Sequence, residues 1–69
     1  MKNETGEIIR QKRKESGLTQ AMLADLSGVS TQRIQAVEAG KHNLSFPATE
    51  KLLAVMGYEI KIVKIELKH

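Results

Sequence analysis

Helix-start and helix-stop residues alternate along this chain and divide it into short segments. Glycine follows each of four helix-like stretches, at Gly17, Gly28, Gly40 and Gly57. A hydroxyl residue precedes each of the last three stretches, at Thr19, Ser30 and Ser45. Glycine commonly ends a helix in the left-handed conformation, and a hydroxyl caps the free N–H groups at a helix start. The pattern predicts four helices, at roughly Thr5 to Ser16, Gln20 to Ser27, Thr31 to Ala39 and Phe46 to Met56.

The spacing of apolar residues predicts which helix faces are buried. The expected inner residues of the last three helices are Leu23, Ala24, Leu26, Ile34, Val37, Phe46, Leu52, Leu53 and Met56. The first helix is less regular, because its inner face would contain Ile9, Arg13 and Ser16. An inward arginine needs a partner, since an unpaired buried charge is costly.

The pattern changes after Gly57, where apolar and charged residues alternate as in a β-strand. No other segment of the sequence resembles a strand, so this one must pair with a second chain or remain frayed. Pairing across a two-fold axis would bury its apolar side chains. The expected dimerisation residues are Tyr58, Ile60, Ile62, Val63, Ile65 and Leu67. The chain thus divides into a helical domain, residues 1–57, and a C-terminal tail, residues 58–69.

Composition removes several classes of function. With 69 residues the chain has room for one small domain, and with no cysteine it has neither disulfides nor a thiolate metal site. His42 and His69 lack further ligands at metal spacing, and no catalytic motif is present, so we expect no metal, no cofactor and no enzymatic activity. No apolar run is long enough for a membrane helix, which predicts a soluble cytoplasmic protein without a membrane partner. The net charge of +3 is compatible with a polyanionic partner.

The second and third predicted helices are joined by Ser27-Gly28-Val29-Ser30. Two short helices joined by a turn that contains glycine form a helix-turn-helix unit, whose second helix reads the DNA major groove. At 100° per residue, Ile34, Val37 and Glu38 point inward from the third helix. The opposite face predicts base contacts by Gln32 and Ala36, flanked by Thr31, Arg33 and Gln35; Arg33 could reach either bases or phosphates.

Together these residues resemble the Cro/C1-type helix-turn-helix family of phage repressors and bacterial regulators. The resemblance rests on Leu18-Thr19-Gln20, Leu23-Ala24, Gly28-Val29-Ser30, Ile34 and Glu38-Ala39-Gly40-Lys41. It implies a mainly α, compact four-helix lambda-repressor-like DNA-binding domain. The tail resembles that of HipB-type antitoxins, whose C-terminal strands pair across the homodimer. That resemblance implies an antitoxin that represses its own operon and has a HipA-type kinase toxin as a partner.

The resemblance also assigns supporting roles. Gln20 matches a position that contacts a DNA phosphate, and we expect further phosphate contacts from Thr19, Ser30 and Lys41. Arg13 and Glu38 match positions that form a salt bridge inside the domain, and their inward faces agree with this. The predicted function is therefore a dimeric, sequence-specific repressor that binds double-stranded DNA at a palindromic operator.

Other interpretations remain open from the sequence. The side chains of the basic run Arg10 to Lys14 point in different directions around the helix axis. This distribution favours solvated side chains for Lys12 and Lys14. A phage repressor or a restriction-system controller would share the same motif without a toxin partner. A protein-interaction module with little DNA role is the third alternative, because Ala36 is inert and the centre of the reading face carries no cation.

Overall fold

Four helices form where the sequence predicts them, and each predicted end is correct to within one residue. The computed structural model describes residues 4–66. The helices are α1 (Glu4–Glu15), α2 (Gln20–Ser27), α3 (Thr31–Glu38) and α4 (Phe46–Val55). The longest has 12 residues, and none of the helices in the described part of the chain could cross a membrane.

The predicted caps are confirmed. The Oγ1 of Thr19 accepts a hydrogen bond from the Met22 N–H at 3.0 Å, and the Ser30 and Ser45 hydroxyls accept from the N–H groups three residues ahead, both at 3.2 Å. Gly28 ends α2 with φ of 79°, and its N–H donates to the Ala24 carbonyl at 2.9 Å. A side chain at Gly28 would be strained in this conformation, so the turn between α2 and α3 depends on glycine.

The core lies between the four helices and the turn that joins α2 to α3. Its buried apolar residues are Ile9, Leu23, Val29, Ile34, Val37 and Leu52. Leu18, Ala24, Leu44 and Met56 cover the edges of this cluster. Helix α3 packs on both α1 and α2, and α4 packs on α2 and α1. The inner face of α3 is therefore packed against α1 and α2.

Three residues predicted to face inward are exposed, and Ser16, just after the end of α1, is one of them. Leu26 is 58% exposed and Phe46 is 54% exposed. The buried side of α2 contains Leu23 and Ser27, which are four residues apart, and Leu26 lies about 80° away from the centre of that face. The buried Ser27 hydroxyl accepts a hydrogen bond from the Val29 N–H at 3.1 Å, which satisfies a polar group inside the turn. Phe46 begins α4 and projects outward, while Leu44 packs against the core in its place.

A glycine inside α1 permits a close helix–helix approach that the sequence patterns do not reveal. Gly6 is buried, and a Cβ built on it would collide with the backbone carbonyl of Val37 near the end of α3. Because the obstructing atoms belong to the backbone, a rotamer change cannot relieve the collision. The packing distance between α1 and α3 thus depends on the absence of a side chain at position 6.

The C-terminal strand prediction is not met in the single chain, because residues 58–66 adopt no strand in the described structure. A lone extended segment has no neighbour to accept its ladder hydrogen bonds. Three of the predicted dimerisation residues are strongly exposed: Ile62 at 93%, Val63 at 74% and Ile65 at 76%. Tyr58 is 40% exposed, Ile60 is half-buried, and Leu67 lies outside the described residues. The tail begins against the domain, since the Nζ of Lys12 lies 5.0 Å from the centre of the Tyr58 ring.

Candidate nucleic-acid interface

Helix α3 has one buried face and one open face. Ile34 and Val37 are completely buried, which fixes the orientation of the helix. On the other side Gln32, Arg33 and Gln35 are exposed, and Thr31 and Ala36 are half-buried. The four residues predicted to contact bases, and Arg33, predicted to contact a base or a phosphate, therefore share the accessible side of one packed helix. Amide and guanidinium groups presented in this way match the donor and acceptor pattern of the major groove.

Arg13 and Glu38 join α1 to the end of α3. The Arg13 Nε donates to Glu38 Oε2 at 2.8 Å, and Nη2 donates to Oε1 at 2.9 Å. The two side chains are 11% and 4% exposed. Such a two-bond arrangement restricts both distance and angle, so it holds the carboxyl end of α3 in a defined position.

Two further groups complete this ion pair. The Arg13 Nη1 donates to the Leu18 carbonyl oxygen at 2.9 Å, and the Gln20 Nε2 donates to Glu38 Oε1 at 3.1 Å. Hydrogen bonding to Glu38 raises the pKa of the Arg13 guanidinium above its ordinary value, while desolvation opposes the shift and the charge of Glu38 adds to it. Arg13 therefore remains charged, and the network links α1, the start of α2 and α3.

The predicted phosphate-binding residues lie at the ends of the two motif helices. Thr19 and Ser30 use their hydroxyl oxygens to cap α2 and α3, and their O–H donors can still point to a ligand. Gln20 is half-buried and is hydrogen-bonded to Glu38, which the sequence does not predict. Lys41 is exposed just beyond α3, and its N–H donates to the Ala36 carbonyl at 2.9 Å.

An open groove runs from α1 past the start of α2 to α3. Its lining residues are Arg10, Arg13, Lys14, Leu18, Thr19, Gln20, Gln35, Glu38 and Ala39. The groove brings predicted phosphate contacts together with Gln35, a predicted base contact. It also includes Arg10 and Lys14 from the basic run; Lys14 is exposed, as the sequence predicts, but its side chain lines the groove.

No arrangement for metal chemistry is found in residues 4–66, where no three His, Cys, Asp or Glu side chains cluster. His42 is exposed in the loop after α3, and His69 lies outside the described range. The buried charges of the site are occupied with one another.

Comparison with known proteins places the whole motif in one family. Residues 9–63 match the Helix-turn-helix family of the Cro/C1 type. The chain is also similar to an uncharacterized HTH-type transcriptional regulator from Methanothermobacter thermautotrophicus, with 40% identity over 52 residues and 75% of each chain covered. Both similarities indicate a DNA-binding regulator and not an enzyme. The chain belongs to the helix-turn-helix family of transcriptional regulators.

Proposed function

We propose that this protein is a sequence-specific transcriptional repressor that binds a palindromic operator as a homodimer. The proposal rests on the difference in exposure between the two faces of α3. Its inner residues Ile34 and Val37 are fully buried, whereas Gln32, Arg33 and Gln35 are exposed. A rigid helix with an accessible polar edge has the geometry needed to read base edges.

Within this proposal Gln32 and Gln35 provide the hydrogen bonds to bases. The amide of a glutamine can pair with adenine N6 and N7 through two hydrogen bonds. Ala36 contacts a thymine methyl group, and Thr31 adds a hydroxyl at the helix start. Arg33 is exposed beside them and binds either a base or a phosphate. Each good two-bond pair contributes about 1–3 kcal/mol of discrimination between bases.

The backbone of the operator is held at the helix ends. Thr19, Gln20 and Ser30 lie at the starts of α2 and α3, where free N–H groups and the helix dipole favour an anion. Lys41 supplies a cation beyond the end of α3. Such contacts set the register of the protein on the duplex without reading its sequence.

Dimerisation in this proposal uses the tail, with residues 58–67 paired antiparallel between two copies. The support is the exposure of Ile62, Val63 and Ile65 in the single chain, because contiguous apolar side chains are unfavourable in water. Pairing also satisfies the backbone groups of an isolated extended segment. The two-fold axis would place the two reading helices about 34 Å apart, which is one turn of DNA.

Selection of binding sites from a randomised duplex pool tests the proposed function. We expect enrichment of an inverted repeat whose half-sites are one helical turn apart, or a multiple of one turn. Replacement of Gln32 by Ala should relax the preference at one symmetric pair of positions. A pool that shows no sequence enrichment after several rounds with the wild-type protein contradicts the proposal.

An antitoxin role with a HipA-type kinase partner is the more specific version of the proposal. It rests on the resemblance of the tail to HipB-type antitoxins and on the apolar side chains that the tail exposes. Affinity purification from the native host tests it, with the Gln32→Ala variant used in parallel. Capture of a kinase encoded beside this gene, by both proteins, supports the antitoxin role. Neighbouring phage or restriction genes and no captured kinase favour a repressor or controller without a toxin.

A further inference from the structure

Two cations of α1 lie beside the reading helix. Arg10 and Lys14 are exposed, one helical turn apart, and line the same groove as Thr19, Gln20 and Gln35. Side chains four residues apart on a helix project from the same face. The groove thus connects two cations on α1 with the start of α2 and with the accessible edge of α3.

The other cations of the basic run have partners within the domain. Arg13 is bound to Glu38, and Lys12 lies 3.5 Å from Glu15 and 5.0 Å from the centre of the Tyr58 ring. Arg10 and Lys14 form no ion pair with any residue in the described range 4–66. The structure therefore separates the run into two engaged and two available cations.

The charges in the groove do not cancel. Three cationic side chains and one carboxylate line it, which leaves a net charge of +2. The carboxylate, Glu38, is fully engaged by Arg13 and Gln20. Glu15, the other acidic group at the end of α1, accepts a hydrogen bond from Gln11 at 3.1 Å and is paired with Lys12. The groove lining therefore keeps an excess of positive charge, although Glu7 lines a neighbouring pocket with Arg10 and Lys14.

We propose that Arg10 and Lys14 bind phosphates of the DNA backbone and extend the interface from the helix-turn-helix onto α1. The inference rests on the proposed function, since it requires α3 to lie in the major groove. Phosphates border the DNA major groove, which is about 12 Å wide. With α3 in the major groove, the phosphate backbone of one DNA strand therefore passes close to the protein groove that begins at the edge of α3. Long flexible cations suit such contacts, which add affinity for any sequence.

The test compares Arg10→Gln, Lys14→Gln and the double variant with the wild-type full-length protein. Fluorescence anisotropy is measured as a function of salt on two labelled probes, an operator selected from a random pool and a mixed-sequence duplex of the same length. Loss of each phosphate contact reduces the slope of log affinity against log salt by about 0.9. At about 0.1 M salt the double variant should bind both duplexes roughly 60-fold more weakly.

Lys12→Gln is the matched control, since it removes a cation of the same helix that is paired with Glu15 and lies outside the groove. It should leave the slope of the salt dependence unchanged. A double variant with the wild-type slope overturns the inference, and so does a double variant weakened only on the selected operator, because phosphate contacts do not read sequence. In either case the proposed function stands as long as the wild-type protein prefers its operator. Failure of the wild-type protein to bind either duplex instead overturns both.

Discussion

The Nε of Arg13 lies 2.8 Å from Oε2 of Glu38, and this buried contact joins the last turn of α1 to the last residue of α3. The two residues are 25 positions apart in the chain. The contact therefore does not shape the local chain conformation. It fixes the position of α3 relative to the rest of the domain. Gln20, from the helix that precedes α3 in the motif, binds the same carboxylate at 3.1 Å.

Replacing Arg13 by Met should destabilise the protein by about 3–5 kcal/mol, because Glu38 would remain buried without its cation. Urea denaturation followed by circular dichroism measures this loss. The control is Arg10→Met, which removes an exposed cation from the same helix and should change stability by less than about 0.5 kcal/mol. An unfolding midpoint equal to that of the wild type would show that the ion pair contributes little.

The double variant Arg13→Met with Glu38→Met separates the ion pair from general disruption. Replacing both charges with apolar side chains removes the unpaired carboxylate, so the double variant should be more stable than Arg13→Met. The same denaturation experiment provides the comparison. Glu38→Met alone completes the comparison; if its loss and that of Arg13→Met simply add in the double variant, the two residues act independently and the account of their coupling is wrong.

The ion pair is predicted because Arg13 and Glu38 match paired positions in the family that the sequence resembles. Their places on the inner faces of α1 and α3 agree with that prediction. The helix ends are equally predictable, since caps such as Thr19 and Gly28 act through their immediate neighbours. Base-contacting roles in α3 follow from the same angular reasoning and stay predictions.

Long-range packing is less visible in the sequence. A glycine within a helix indicates that another segment packs closely against that helix. The sequence around Gly6 does not show which segment this is. Leu26 is exposed although it is large and apolar, because the buried arc of α2 is centred between Leu23 and Ser27. The alternation in the tail predicts extended structure, yet a strand requires a partner, and the sequence of one chain does not contain that partner.

Gly6→Ala should destabilise the domain by about 1–3 kcal/mol, although alanine favours helix formation. The added methyl group would collide with the Val37 carbonyl and push α1 away from α3. Thermal unfolding compares it with Thr5→Ala, a substitution at the neighbouring exposed position. Equal or greater stability of Gly6→Ala would mean that the two helices do not pack as closely as described.

Replacing Ile62 and Ile65 by Lys should shift the protein from dimer to monomer, because two charges would enter the proposed strand interface. Both residues are exposed in the single chain, so the helical domain should keep its thermal stability as a monomer. Sedimentation equilibrium measures the mass, and Gln11→Lys serves as a control with an added charge on α1. A wild-type protein that is monomeric at all accessible concentrations contradicts the proposed role of the tail.

Gln32→Ala should reduce discrimination at one operator base pair per half-site by about 1–3 kcal/mol while leaving the fold intact. The side chain is exposed, so its loss removes no core contact. Competition binding with operators altered at single positions measures the change. Gln11→Ala, an exposed glutamine on α1 outside the reading face, should retain the wild-type preference at every position.

The central claim is that the exposed edge of α3 reads duplex DNA. The most direct test measures the affinity of the wild-type protein for its selected operator and for a scrambled duplex of the same composition, at near-physiological salt. The account predicts at least a roughly 1,000-fold preference for the operator, with salt-dependent binding to both duplexes. Equal affinities for the two sequences would contradict it.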